Sequence, residues 1–237
     1  MPSQNQPPAP SVSVPLPRPI KILFLAANPT DTTQLRLGQE VREIDDALRR
    51  AQYRDRFDLE QHHAVQVGDL QGLLQRYRPD IVHFSGHGST TGEILLEDAT
   101  GTRHPVTPRA LSSTFSLLKD NIRCVVLNAC FSRIQAEAIA QHIDCVIGMS
   151  TAITDAAAIS FASAFYQAVG YGQPLKTAFG LGLARIDLEN LEEQDTPQLI
   201  ALHVDPSQVT FISPQGGAHP NGERQHRRKA VLPLRSA

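Results

Sequence analysis

Apolar residues in this chain fall into short continuous runs separated by longer amphipathic segments. Four runs have the length and the β-branched content of buried strands, at residues 21–26, 80–84, 122–127 and 145–149. The segments between them carry apolar residues at helical spacing. In residues 34–51 the sequence places them at Leu37, Val41, Ile44 and Leu48. Strand alternating with helix predicts an α/β fold built on a mostly parallel sheet.

Weaker patterns complete this prediction. Residues 65–67 are a candidate short strand, and residues 92–98 and 101–105 form a candidate hairpin outside the central layer. Thr107 followed by Pro108 is typical of a helix start. Residues 198–203 and 208–212 are expected to be late strands at a sheet edge.

The two ends of the chain differ from its centre in composition. Residues 1–19 contain seven of the seventeen prolines and almost no charge, and residues 214–237 are Gly-rich at first and then basic. Neither segment has the apolar content needed for a core. We therefore expect one folded domain at residues 20–213 between two flexible tails.

Charge and cysteine usage narrow the class of protein. The formal net charge is −2, and because the C-terminal segment is basic, the central domain is more acidic than this total. An acidic domain disfavours nucleic acid as the main ligand. No run of eighteen apolar residues and no secretory signal is apparent, so we expect no membrane span. Three cysteines, two of them inside apolar runs, favour the cytoplasm.

The candidate chemistry lies where two predicted strands end. His87 and Gly88 follow the strand at 80–84, and Cys130 follows the strand at 122–127. Carboxyl ends of parallel strands form a common crevice, so we expect His87 to act as base toward a Cys130 nucleophile. The amides of Gly88 and Cys130 are candidates for an oxyanion hole. Gly86 and Gly88 would allow the backbone to turn sharply and to approach a substrate closely.

These motifs resemble those of the CHAT domain family, relatives of caspases, separases and gingipains. The similarity is densest at residues 82–88 and 126–130, begins at residues 21–29 and continues through Glu40. It implies a caspase-like three-layer fold and a catalytic dyad at His87 and Cys130. It also implies a cysteine endopeptidase that cleaves protein or peptide substrates in a bacterial regulated-proteolysis or defence system. A sensor or activator would then be a separate partner protein.

Asp155, just after the strand at 145–149, has two interpretations. It is suited to N-cap a helix over residues 156–169. In related peptidases this region lines the pocket for the residue before the cleaved bond, where an unpaired carboxylate would bind the side chain of Arg or Lys. Both interpretations stay open at this stage.

Other residues have simpler explanations. His83 lies inside a strand and is expected to be packed or hydrogen-bonded, and its spacing from His87 suits two metal ligands only on a helix. The Gly-rich loop after the strand at 80–84 could instead cradle a phosphate, but the nucleotide-binding fingerprints are missing. Residues 28–31 could face a ligand, but a turn that leads into a helix explains them equally well. No metal or cofactor is expected. Two alternatives to the peptidase remain, namely a catalytically silent signalling or scaffold module and an amidase or other acyl-transfer enzyme.

Overall fold

The structure, a computed structural model, describes residues 18–212. Its strands are β1 Ile20–Ala26, β2 Phe57–His62, β3 Ile81–Ser85, β4 His87–Gly88, β5 Ile94–Glu97, β6 Arg103–Val106, β7 Cys124–Asn128, β8 Cys145–Met149 and β9 Pro197–Ile200. Its α-helices are α1 Leu37–Arg50, α2 Asp69–Tyr77, α3 Pro108–Leu118, α4 Arg133–Ile139, α5 Asp155–Gly170 and α6 Leu175–Leu188.

Six of the strands form one sheet in the order β2-β1-β3-β7-β8-β9. Every neighbouring pair in it is parallel except β8 and β9, which are antiparallel. The hairpin predicted at residues 92–105 is confirmed, since β4, β5 and β6 form a separate antiparallel sheet. Crossover helices therefore connect successive parallel strands, as the alternating pattern predicts.

The central strands are buried on both faces, which explains their continuous apolar runs. Successive side chains point to opposite faces. Helices α1, α5 and α6 pack on one face, whereas α2, α3, α4 and the small sheet cover the other. The predicted α/β architecture with helices on both faces is confirmed. Within residues 18–212, no helix has the length and apolarity required to cross a membrane.

The edges of the sheet depart from the sequence prediction. Strand β2 was not predicted, because it is half-buried and has no continuous apolar run. Residues 65–67, predicted as a short strand, contribute only an isolated bridge from Gln66 to Glu97. The late strand at 198–203 corresponds to β9. Residues 208–212 form no strand, since their main chain contacts the start of α6, where the Leu175 amide donates to the Val209 carbonyl at 2.9 Å.

Asp80, just before β3, connects three segments at the amino ends of the strands. Its carboxylate accepts hydrogen bonds from both terminal nitrogens of Arg18, at 2.7 and 2.8 Å, and from the Lys21 amide at 2.9 Å. Its carbonyl accepts from the Arg123 amide at 2.9 Å. The carboxylate raises the pKa of Arg18 through this hydrogen bond and its charge. Arg18, assigned from sequence to the leading tail, is thus attached to the folded domain. Residues 1–17 of the predicted N-terminal tail, residue 213 at the end of the predicted domain and the whole predicted tail at 214–237 lie outside the described residues.

We predict that Asp80→Ala lowers the free energy of unfolding by about 1–3 kcal/mol. The substitution removes a buried acceptor and leaves its donors, the Arg18 guanidinium and the Lys21 amide, without this partner. Urea denaturation monitored by circular dichroism measures this. The matched control is Asp45→Ala, which removes an exposed pair with Arg49 within α1 and should change stability by less than about 1 kcal/mol. Equal effects of the two variants would contradict the role assigned to Asp80.

Two of the three cysteines belong to the core. Cys124 and Cys145 are partners on the adjacent strands β7 and β8, and both are fully buried. Burial raises the pKa of the Cys145 thiol to about 12 and raises that of Cys124 well above its ordinary value. Both thiols are therefore protonated at neutral pH and shielded from reagents. Cys130 is only half-buried.

We predict that iodoacetamide at pH 8 modifies Cys130 alone in the folded protein and all three cysteines in urea. The thiolate is the reacting species, and the two core thiols neither ionise at this pH nor meet the reagent. Intact mass and peptide mapping count and locate the adducts. Labelling of Cys124 or Cys145 in the folded state would disprove this prediction.

Candidate active site

The register of β3 against β7 places the candidate residues at one edge of the sheet. Ser85 and Asn128, the last residues of these strands, are Cα partners. The Gly86 amide continues the pairing by donating to the Asn128 carbonyl at 3.3 Å. His87 and Cys130 each follow two residues after their strand ends. His87 and Cys130 therefore follow neighbouring strand ends at the same edge of the sheet.

At Gly88, the segment that follows β3 comes into direct contact with the segment that follows β7. A Cβ atom built on Gly88 would lie 1.8 Å from the Cys130 carbonyl oxygen, and one on Gly86 would lie 2.7 Å from the Ala27 carbonyl oxygen. Neither glycine has a positive φ. Close main-chain approach, rather than the expected sharp turn, requires both glycines.

The amide of Gly88 points away from its hairpin. The Ser89 amide donates to the Glu93 carbonyl at 2.8 Å, which makes these residues a hydrogen-bonded pair. Hydrogen-bonded and non-hydrogen-bonded pairs alternate along an antiparallel ladder, so Gly88 and Ile94 form a non-hydrogen-bonded pair. Among the hydrogen bonds of residues 18–212, the Cys130 amide has no acceptor. Neither the Gly88 amide nor the Cys130 amide therefore donates to a neighbouring strand.

A main-chain carbonyl orients the His87 ring. His87 Nε2 lies 2.8 Å from the Thr33 carbonyl oxygen. A carbonyl only accepts, so Nε2 carries the proton of the neutral ring and Nδ1 is the nitrogen with a free lone pair. Sequence reasoning named no third member of the site, because a carbonyl group has no residue-type signature.

The loop that carries Thr33 is closed by its own side chains. Asn28 donates to the Leu35 carbonyl at 3.1 Å and accepts from the Leu35 amide at 3.2 Å. The main-chain amide of Asn28 donates to the Glu97 carboxylate at 2.9 Å, and the Thr32 hydroxyl donates to the Pro29 carbonyl at 2.7 Å. These contacts support the turn interpretation of residues 28–31 over a ligand-binding one.

The sulfur of Cys130 lies beside the loop that follows β8. The Ile153 amide donates to Sγ at 3.5 Å, and Sγ lies 3.8 Å from the Ile153 carbonyl oxygen. Phe131 has a φ of +56°, in the left-handed region, and its amide donates to the Thr151 carbonyl at 3.1 Å. A sharp turn between β7 and α4 thus presents the thiol toward residues 151–153.

Asp155 differs from the sequence prediction in two respects. Thr154 is the N-cap of α5, accepting from the Ala157 amide at 3.3 Å, so the expectation that Asp155 caps this helix is wrong. The Asp155 carboxylate, expected to be unpaired, accepts from the Arg36 amide at 3.2 Å and from Arg36 Nε at 3.3 Å. Asp155 lies two residues from Ile153, which contacts the Cys130 sulfur.

His83 is buried and hydrogen-bonded, as predicted. Its Nε2 lies 2.8 Å from Glu40 and its Nδ1 lies 3.1 Å from the Tyr166 hydroxyl, while its ring stacks on Phe24. Both ring nitrogens are thereby occupied within the protein. Among residues 18–212, no group of three His, Cys, Asp or Glu side chains is arranged to hold a metal ion. Sequence analysis noted Glu40 only as part of the family similarity and did not identify its buried contacts.

Comparison with solved structures places this geometry in a known fold. A secreted C11 cysteine protease from Bacteroides thetaiotaomicron, in complex with an irreversible peptide inhibitor, is similar with a TM-score of 0.56 and 9% identity, over 77% of this chain and 66% of that one. The Arg-specific cysteine proteinase gingipain R is similar with a TM-score of 0.58 and 14% identity, over 80% and 47%. The predicted caspase-like fold is confirmed.

Relatives by sequence are longer proteins. A probable protease of Gillisia limnaea is 25% identical over 178 residues, which cover 73% of this chain and 32% of the relative. A Roc-COR-CHAT protease of an unknown prokaryotic organism is 27% identical over 154 residues, 62% of this chain and 14% of the relative. The chain thus spans a third or less of these curated relatives.

The family itself follows from a match along most of the sequence. The model of the CHAT domain matches residues 2–199, which include His87, Cys130 and Asp155. The resemblance noted from the motifs is confirmed, and the chain belongs to the CHAT domain family.

Proposed function

We propose that this domain is a cysteine endopeptidase in which His87 and Cys130 form the catalytic dyad. The observation that carries the proposal is the main-chain contact between Gly88 and Cys130 at the ends of two paired strands. This contact supports the proposal because it brings the residue after His87 against the backbone of Cys130. The bond from His87 Nε2 to the Thr33 carbonyl leaves Nδ1 with a free lone pair, which supports its proposed role as the base.

The arrangement suits acyl transfer in four steps. His87 Nδ1 accepts the proton of the Cys130 thiol, and the thiolate attacks the substrate carbonyl carbon. The amides of Gly88 and Cys130 donate to the oxyanion of the tetrahedral intermediate. His87 then gives the proton to the leaving amine as the C–N bond breaks. Water, deprotonated by His87, attacks the thioester and releases the acid product and the thiol.

We propose further that the enzyme prefers Arg or Lys before the cleaved bond. Asp155 already accepts a guanidinium nitrogen, that of Arg36, two residues from the main chain that contacts the thiol. The Asp155 side chain is 27% exposed, whereas that of Arg36 is 56% exposed. An exposed ion pair of this kind is weak. A substrate guanidinium or ammonium group is therefore able to displace Arg36 from the carboxylate.

We infer the biological setting from the family and from the names and lengths of its relatives. The name of one relative joins a CHAT protease to Roc and COR, and both curated relatives extend well beyond the matched region. We propose that this domain acts on protein substrates in the cytoplasm, in bacterial regulated proteolysis or defence, and that a sensor or activator protein controls it. A silent scaffold and an amidase on the same dyad are the outcomes against which the following experiments test it.

We predict that Cys130→Ala and His87→Ala each abolish cleavage of fluorogenic peptides while their thermal unfolding matches that of the wild type. Each substitution removes one participant in proton transfer from the thiol. Cys145→Ala, a buried cysteine outside the site, is the control and should retain activity. Full activity of either dyad variant would refute the dyad. A wild type that hydrolyses only small amides would favour the amidase, and one that cleaves neither class would favour the scaffold.

We predict that Asp155→Asn lowers kcat/KM for peptides with Arg before the cleaved bond by about 100- to 1000-fold, because it removes the charge opposite the guanidinium. Peptides with Leu at that position should change much less. Arg36→Ala should raise kcat/KM for the Arg peptides by up to about fivefold, since an exposed pair is worth at most ~1 kcal/mol. Steady-state kinetics on both peptide series measures the differences.

Asp45→Asn provides the matched control, because Asp45 also forms an exposed pair with an arginine, but its partner Arg49 lies at the far end of α1 from Arg36. It should leave both peptide series unchanged. An Arg preference retained in Asp155→Asn, or cleavage after Asp by the wild type, would contradict the specificity proposal and leave the dyad unaffected.

A further inference from the structure

One buried carboxylate lies directly behind the candidate site. Glu40, in the first turn of α1, is 3% exposed. Its Oε1 accepts from His83 Nε2 at 2.8 Å and from Asn128 Nδ2 at 2.6 Å, and its Oε2 accepts from the Ser85 hydroxyl. All three donors are themselves buried.

These donors are not scattered through the core. Ser85 and Asn128 are the paired last residues of β3 and β7, and each is two residues before a member of the dyad. Glu40 itself follows closely after the loop whose Thr33 carbonyl orients His87. A single carboxylate thus connects the three chain segments that hold the base, the nucleophile and the orienting carbonyl.

The directions of the hydrogen bonds in this cluster follow from its partners. His83 Nε2 donates to the carboxylate, and burial raises the pKa of Tyr166 so that its hydroxyl stays protonated. That hydroxyl lies 3.1 Å from His83 Nδ1, so a neutral His83 ring accepts from it. Asn128 also donates to the Ala158 carbonyl at 3.2 Å, which attaches the end of β7 to α5.

A carboxylate is the side chain that accepts from all three of these donors at once. Ionised Glu offers two acceptor oxygens, while Gln at the same place offers one acceptor and one donor group. With its oxygen toward His83 and Asn128, Gln would no longer accept from the Ser85 hydroxyl, which would have to turn and accept from the Gln amide instead. Burying an ionised group is costly unless it is fully hydrogen-bonded, and here its oxygens receive three donors.

We propose that Glu40 is a positioning residue that sets the separation of His87 and Cys130 by holding the ends of β3 and β7 together. The proposal rests on the function of the dyad proposed above. Glu40 touches neither the substrate nor the reacting atoms. Its effect is transmitted through Ser85 and Asn128 to the two residues that follow them.

The experiment compares Glu40→Gln and Ser85→Ala with Ile44→Ala. Ile44 lies one turn further along α1 and is fully buried, so its truncation destabilises the same helix without removing a hydrogen bond. Two experiments are carried out below the unfolding temperature of each variant. One measures kcat and KM on the preferred fluorogenic peptide, and the other measures the rate of Cys130 alkylation by iodoacetamide between pH 5 and 9.

Glu40→Gln should lower kcat by about 10- to 100-fold with KM within about twofold, as expected for a displaced catalytic pair. Its alkylation profile should shift toward that of His87→Ala. Ser85→Ala should change both quantities in the same direction by a smaller factor, and it decides the matter if Glu40→Gln does not fold. Ile44→Ala should lower the unfolding temperature while keeping kcat within about threefold.

Failure of the proposed dyad and failure of the positioning role of Glu40 give different results. If His87→Ala alkylates as the wild type does, the dyad fails and this inference fails with it. If His87→Ala changes the profile but the folded Glu40→Gln and Ser85→Ala variants keep wild-type kcat and alkylation, the dyad stands and the positioning role is overturned. An equal loss of kcat in Ile44→Ala would likewise overturn it, because general destabilisation would then explain the effect.

Discussion

The parallel pairing of β3 with β7 is the contact on which the candidate site depends. Its register places Ser85 beside Asn128. The two main-chain segments that follow these residues come so close together that only a glycine fits at position 88. A shift of the register by one residue would turn every side chain of one strand to the opposite face. The apolar residues on both faces of both strands set this register, and they therefore position the candidate site as well as stabilise the fold.

Much of this could be predicted, because the strong signals are local. Continuous apolar runs identify buried parallel strands, and Thr107 before Pro108 marks a helix start that the structure confirms. Placing Cys130 and His87 at strand ends needs only the rule that parallel strands end at one edge. Strand β2 was missed because an edge strand needs no apolar run, and its partner β1 determines where it lies.

The remaining features depend on contacts between segments far apart in sequence. Arg36 and Asp155 are separated by 119 positions, and nothing local shows that the carboxylate has a partner. The same holds for Glu40, which looks like an ordinary acidic residue in a helical first turn until its three donors are known. Sequence reasoning identifies the groups that could react, whereas the fold decides which of them are already occupied.

The bond from His87 to the Thr33 carbonyl has a consequence for reading mutational data. The acceptor belongs to the main chain, so every residue type at position 33 supplies it as long as the loop keeps its path. A saturation scan would record this position as tolerant, although its peptide group contacts the proposed base. Sensitivity would appear instead at Asn28, whose paired hydrogen bonds to Leu35 close the loop. Positions that take part through their backbone are thus visible to mutagenesis only through the residues that shape them.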